Sequence, residues 1–388
     1  MQRFKKLVGL YSSSAVIILN MALLVFALNL LLTLFFPPQE DAQNANPVLV
    51  EHGKSVMAAY PDLDEQQVQD LLDETWTREW VYAPYVQFQE RPIKGTYVSV
   101  SAEGFRAVAE QAAWPPPADA FTVFVLGGST TFGYGVADNE TIPSYLQEIL
   151  REQVDGPVNV YNMGSSGWIS LQERLRLTNL LLEGYRPDLA IFVDGLNDFG
   201  RVDGDPWFTK QLDTLLEERA NAGQADYLNE FAIGRAARAL LQKMSPQASG
   251  NGAPMSSQEI TVQNANQVVD RYLNNMRATR AIASEFGVQT LFVWQPVPMF
   301  DHDMKNYPFE LRRYPGGSIS VTYNGYEALQ NRLQESPAPA DFLWLADAHA
   351  GQDYPMYVDR WHYSARFNQA LANRIAARVV SDNPDLAD

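Results

Sequence analysis

The chain contains no cysteine. That removes disulfides, thiolate metal sites, a cysteine nucleophile and a lipidated cysteine in one stroke. Histidine is nearly as scarce. His52, His302, His349 and His362 are the only four, so an imidazole base must come from a short list. Positive charge is in deficit, with 29 Lys and Arg against 46 Asp and Glu in 388 residues. The deficit is uneven: the first 36 residues hold Arg3, Lys5, Lys6 and no acid, which leaves −20 on residues 37–388. A body that acidic repels phosphate backbones, so no nucleic-acid partner is expected. Long apolar runs are absent after residue 36. Against these absences stand 46% hydrophobic and 12% aromatic residues, ample for a packed core.

The one long apolar run lies at the N-terminus. No charge occurs from Leu7 to Phe36, and Ala15–Phe36 is 22 residues long. At about 1.5 Å per residue, a helix of that length crosses a hydrocarbon core of about 30 Å. A cleaved signal has an apolar core of about 7–15 residues and a small-residue cleavage site. Here the run is longer and ends in Phe35-Phe36-Pro37-Pro38. The expectation is an uncleaved single-pass signal anchor in the inner membrane. The three bases hold its N-terminus in the cytoplasm, and the body lies in the periplasm or outside the cell.

Three segments are expected: the anchor at 1–36, a linker and membrane-proximal segment at 37–118, and a large domain at 119–388. Residues 37–50 read as linker, 62–80 as a helix, and the aromatic stretch Trp80–Tyr97 as short strands and turns. An alternation then begins. Strands are predicted at Phe121–Leu126, Val158–Tyr161, Leu189–Val193, Gln289–Trp294 and Phe342–Leu345. Helices are predicted at 141–153, Ser170–Tyr185, Val262–Phe286 and Ser364–Val380. Continuous apolar strands alternating with amphipathic helices predict an α/β fold: a parallel five-stranded sheet in a three-layer α/β/α sandwich. An insertion at about 199–261, with a helix near 209–221, and an irregular stretch at 296–340 interrupt it. Such loops often form lids or substrate walls.

Polar or glycine clusters follow the first three strands: Gly127-Gly128-Ser129-Thr130-Thr131, Asn162-Met163-Gly164-Ser165-Ser166-Gly167 and Asp194-Gly195-Leu196-Asn197-Asp198. In open parallel sheets, ligands bind beyond these strand ends. Asp359-Arg360-Trp361-His362 comes near the C-terminus. A serine hydroxyl needs a base to become a nucleophile, and an imidazole suits that task near neutral pH. The imidazole in turn needs a carboxylate to orient it, and a spacing of three lets one turn bring Asp359 to His362. Backbone N–H groups of Ser129 and Gly164 and the Asn197 amide could stabilise an oxyanion.

These clusters, in this order, resemble the SGNH (GDSL-like) hydrolase superfamily over about residues 120–380. The resemblance implies Ser129, Gly164, Asn197 and His362 as its four named residues, with Asp359 completing the triad. It implies a serine hydrolase that needs neither metal nor organic cofactor. The serine block reads Gly-Gly-Ser-Thr-Thr in place of Gly-Asp-Ser-Leu, which weakens any transfer of lipase specificity. Residues 91–106, with Gly104-Phe105-Arg106, look like the lead-in of membrane-anchored bacterial members.

Taken singly, each feature has a blander reading. Gly-Gly-Ser is usually a turn, and Asp-x-x-His can be a helix cap beside a surface histidine. Asp198 is expected to support the Asn197 loop. Asp301-His302-Asp303 and Asp347-Ala348-His349 lack a full ligand set at recognisable spacing. His52 is expected to be solvated in the linker. Trp294-Gln295 either lines the site or packs beneath it.

The expected function is hydrolysis of carboxylic esters, O-acetyl groups on envelope carbohydrate above all, through an acyl-enzyme. An O-acetyltransferase, a lipase or lysophospholipase, and a carbohydrate-binding module without activity are the alternatives. The partners expected are an acylated small molecule or glycan and the membrane.

Overall fold

A computed structural model describes residues 2–35, 46–220, 257–304, 307–309 and 319–386. The chain divides into two units, Met1–Ala45 with Lys210–Ala253, and Asn46–Thr209 with Pro254–Asp388. In the first, helix α1 (Gln2–Phe35) contains a 20-residue apolar stretch, Ser14–Thr33, long enough to cross a membrane.

The second unit is the α/β body. Before the sheet come helices α2 (Pro47–His52) and α3 (Glu65–Trp76) and two small antiparallel pairs. These are β1 (Trp80–Ala83) with β2 (Gln87–Glu90), and β3 (Ile93–Lys94) with β4 (Ser99–Val100). The linker expected at 37–50 therefore ends before residue 46. Asn46 is buried, and its side chain caps α2 by accepting from the N–H groups of Val48 and Leu49. A helix of six residues is too short to show a period in sequence. Residues 37–45 lie outside the described residues.

The main sheet is parallel throughout, in the order β6-β5-β7-β8-β9. Its strands are β5 (Phe121–Gly127), β6 (Val158–Asn162), β7 (Leu189–Asp194), β8 (Gln289–Trp294) and β9 (Phe342–Trp344). Each strand end falls within one residue of its expected position. Side-chain alternation splits the core in two. Val123, Val125, Ile191 and Val293 face one layer, with α5 (Ile142–Gln153) and the C-terminal helix Ala365–Asp382. Phe124, Leu126, Phe192 and Phe292 face the other, with α6 (Ser170–Leu182). Val56, Val68, Leu71 and Leu72 join the first of these cores, so the segment before the sheet is part of the same body.

Three further helices complete the insertions: α7 (Leu196–Phe199), α8 (Thr209–Ala220) and α9 (Ser257–Glu285). Residues 221–256, most of the rest of the expected insertion, lie outside the described residues. The stretch 296–340 is not irregular throughout. It contains the 17-residue helix α10 (Ile319–Glu335), which buries Val321, Thr322, Gly325, Tyr326 and Leu329. Gly325 masks this helix in sequence, since glycine disfavours helix interiors. Packing requires it: a Cβ there would lie 2.0 Å from the Phe199 ring. The C-terminal helix is α11 (Ala365–Asp382), capped by the Ser364 side chain, which accepts from the Phe367 N–H.

Candidate active site

The β5 strand ends in Gly127 and turns at Gly128 into α4 (Ser129–Phe132). A Cβ at Gly128 would sit 2.2 Å from Asn197 Nδ2, so only glycine lets the Asn197 amide approach this turn. Ser129 Oγ lies 2.8 Å from His362 Nε2, and His362 Nδ1 lies 2.7 Å from Asp359 Oδ2. Asp359 Oδ1 also accepts from the backbone N–H groups of Trp361 and His362, both at 2.7 Å. One carboxylate thus shapes the Asp-x-x-His turn and orients the ring. Burial pushes the Asp359 carboxyl up, but His362 and the two backbone donors outweigh it and hold it below its usual range. It therefore stays ionised beside the imidazole.

Aromatic rings fix the imidazole from two sides. Tyr134 stacks on it at 5.3 Å, and Trp76 meets it edge-on at 5.4 Å. Burial pushes the Tyr134 hydroxyl up to about 12, so it remains neutral.

Asn197 sits on α7, partly exposed, with Nδ2 donating to the Trp168 carbonyl at 2.8 Å. An amide nitrogen carries two hydrogens, so one is left over. Asp198 does support this loop: its carboxylate accepts from both Ser170 Oγ, at 2.7 Å, and the Ser170 N–H. Behind it lie the buried carboxylates of Glu173 and Asp194. Burial and the neighbouring Asp198 push Asp194 up to about 8.

Gly164 is not where the oxyanion reading needs it. Its N–H donates to Asn162 Oδ1 at 3.0 Å, and a Cβ there would collide with the Thr131–Phe132 backbone. It is buried beneath α4, while Ser166 and Gly167 line the cavity with Ser129, Asn197 and His362. No described residue accepts from the Gly167 N–H. The sequence offered two glycines three residues apart with nothing to choose between them. Asn162 is the brace, since its Nδ2 donates to the carbonyls of Thr131 and Phe132.

Other residues emerge only in three dimensions. Glu90, fully buried, accepts from the Ser166 N–H at 2.9 Å and pairs with Arg78 at 2.7 Å. The Arg78 guanidinium lies 4.1 Å over Phe132. Arg106, from the Gly-Phe-Arg motif, is fully buried and donates to the Phe132 and Val136 carbonyls and to Asp138. It pins the loop that leaves α4.

The remaining candidates fall elsewhere. Trp294 and Gln295 are buried beneath the site, where Gln295 accepts from the Thr130 hydroxyl at 2.7 Å. His52 is not solvated. Its side chain is 8% exposed, set edge-on to Phe309 and 3.6 Å from Glu51. His302 and His349 bring the two aspartate–histidine motifs together, with ring centroids 4.8 Å apart. Burial lowers both imidazoles, His302 to about 4. Among the described residues no group of three or more His, Asp or Glu could hold a metal ion.

The cavity above Ser129 has a volume of about 620 Å³, within the range of small-ligand sites. Ser129, His362, Asp359 and the candidate oxyanion donors share it, an arrangement suited to acyl transfer.

Residues 125–311 match the GDSL-like lipase/acylhydrolase family. The match includes Ser129 and Asn197 and stops before Asp359 and His362. No curated protein matches the chain. Solved structures with a similar trace include a lipolytic protein of the G-D-S-L family from Desulfitobacterium hafniense, at 13% identity, covering 66% of this chain and 99% of that one with a TM-score of 0.36. An acylhydrolase from Bacteroides fragilis is similar at 12% identity, covering 69% and 90% with a TM-score of 0.37. An acetyl-xylooligosaccharide esterase from Geobacillus stearmophilus is similar at 13% identity, covering 67% and 94% with a TM-score of 0.37.

Proposed function

We propose that the chain, whose residues 125–311 match the GDSL-like lipase/acylhydrolase family, is a membrane-anchored esterase that removes O-acetyl groups from envelope carbohydrate. Ser129 is the nucleophile in this reading. Its Oγ attacks the ester carbonyl as His362 Nε2 takes its proton, and Asp359 stabilises the imidazolium. The N–H groups of Ser129 and Gly167 and the free hydrogen of the Asn197 amide receive the oxyanion. Collapse of the tetrahedral intermediate expels the sugar hydroxyl, which recovers the proton from His362. Water, deprotonated by the same imidazole, then releases acetate and restores Ser129.

The observation that carries this reading is the unbroken relay Ser129–His362–Asp359, with both contacts below 3 Å. Trp76, Trp80, Trp207 and Trp361 line the cavity, flat faces suited to sugar rings. The apolar stretch Ser14–Thr33 of helix α1 and the three bases before it support the reading of an anchored body outside the cytoplasm. The test is the purified body assayed on acetylated oligosaccharides and on acyl esters of increasing chain length. Acetyl esters should turn over fastest, and a preference for long chains would overturn the substrate class.

A further inference from the structure

We propose that the cavity beside Ser129 contains a carboxylate-binding subsite built on Arg201, so that the glycan it de-esterifies is acidic, bearing uronate units. This rests on the esterase reading above and narrows its substrate. Two guanidinium groups line the cavity, those of Arg201 and Arg360. Arg360 is already neutralised by Glu51, which lines the same wall. Arg201 is not: among the described residues no carboxylate lies within ion-pair distance of it. Asp203 and Asp205, on its own loop, act on it only at longer range.

Arg201 is also held ready. Its guanidinium carbon lies 4.2 Å over the Trp207 ring, and its backbone carbonyl accepts from Arg271. Stacking on an aromatic face orients the planar fork and leaves its edge N–H groups free for a bidentate acceptor. A fatty acyl chain laid against Arg201 would strip its water without replacing the lost hydrogen bonds. A neutral sugar would leave the charge unanswered. A uronate satisfies both residues, its carboxylate on Arg201 and its ring against Trp207. Arg201 follows Asn197 by four residues, with Gly200 between them on the cavity wall, so the subsite adjoins the proposed oxyanion donors.

Binding separates this proposal from the esterase reading. Calorimetry with unacetylated trigalacturonate and with xylotriose tests the subsite without any turnover, and hydrolysis of an aryl acetate by the same protein tests the esterase. Trigalacturonate should bind at least about 10-fold tighter than xylotriose, with the preference shrinking as NaCl rises. Arg201→Gln should bring the two affinities within about 2-fold, and Arg201→Lys, which keeps the charge but loses the fork, should fall between. Equal binding of the two sugars by the wild type, or an unchanged preference in Arg201→Gln, overturns the subsite. Absence of aryl acetate hydrolysis counts against the esterase reading alone.

Discussion

Glu90 accepts the Ser166 N–H at 2.9 Å across 76 residues of sequence. Ser166 lies on the cavity wall, and Glu90 lies on β2, ahead of the residues that match the family. The segment before the sheet therefore builds the back of the site. Trp76 touches His362, the Tyr60 hydroxyl donates to the Gly135 carbonyl, and Arg106 holds the loop leaving α4.

The buried pair sets the first prediction. Arg78 is 4% exposed and Glu90 is fully buried, so Glu90→Gln leaves a guanidinium uncompensated in low dielectric. Breaking such a pair costs about 3–5 kcal/mol, whereas replacing both partners costs far less. Glu90→Gln should lower the melting temperature strongly, and adding Arg78→Met should recover much of it. A double variant less stable than Glu90→Gln would show that the pair is not a unit.

A second prediction concerns pH. The Asp194 carboxyl stands at about 8 in the folded protein against an ordinary 3.8, because it is buried beside Asp198. A carboxyl raised by folding is fully favourable below 3.8, where folded and unfolded chains are both protonated. That contribution is lost as pH rises through 3.8 toward 8. Asp194→Asn removes the loss. Its melting temperature relative to wild type should therefore climb between pH 5 and pH 8, and a difference constant across that range would refute the assignment.

Asp359 runs the other way. Its folded value lies below 3.8, so its contribution is present above 3.8 and disappears as pH falls through the lower folded value. The stability gap between wild type and Asp359→Asn should narrow under acid conditions. At neutral pH this variant should lose about 10⁴-fold in kcat, because the amide favours the wrong imidazole tautomer. A loss below 10-fold would remove Asp359 from the relay.

Gly325 gives a packing test. Alanine is the better helix former by about 1 kcal/mol, yet its Cβ would strike the Phe199 ring, on the same short helix as Asn197. Overpacking of this kind costs about 1–3 kcal/mol. Gly325→Ala should melt below wild type, and a higher melting point would mean that the contact relaxes freely.

What could be read in advance follows from these contacts. Strands β5–β9 lie mostly between two helical layers, so their apolar runs stand out in sequence with little disguise. Ser129, Asn197, Asp359 and His362 could be proposed from sequence because each belongs to a short polar or glycine cluster, the first two just after strands β5 and β7. The α10 helix was not, because Gly325 and the nearby Pro315-Gly316-Gly317 lower its propensity while its packing partner, Phe199, is over a hundred residues away. Gly164 and Gly167 look alike in sequence, but the first packs against Thr131 and Phe132 and the second sits at φ +70° on the cavity wall. Glu90 and Arg201 look like ordinary surface charges until the fold shows one buried against Ser166 and the other on the cavity wall.

The central claim is that Ser129 is the acylated nucleophile. The direct measurement is labelling of the intact protein with a fluorophosphonate probe, read by mass spectrometry of the modified peptide alongside aryl acetate hydrolysis. One probe per chain should attach at Ser129, and Ser129→Ala should lose both the label and hydrolysis while melting like wild type. A label on another residue, or a Ser129→Ala protein retaining most of its activity, would contradict the account.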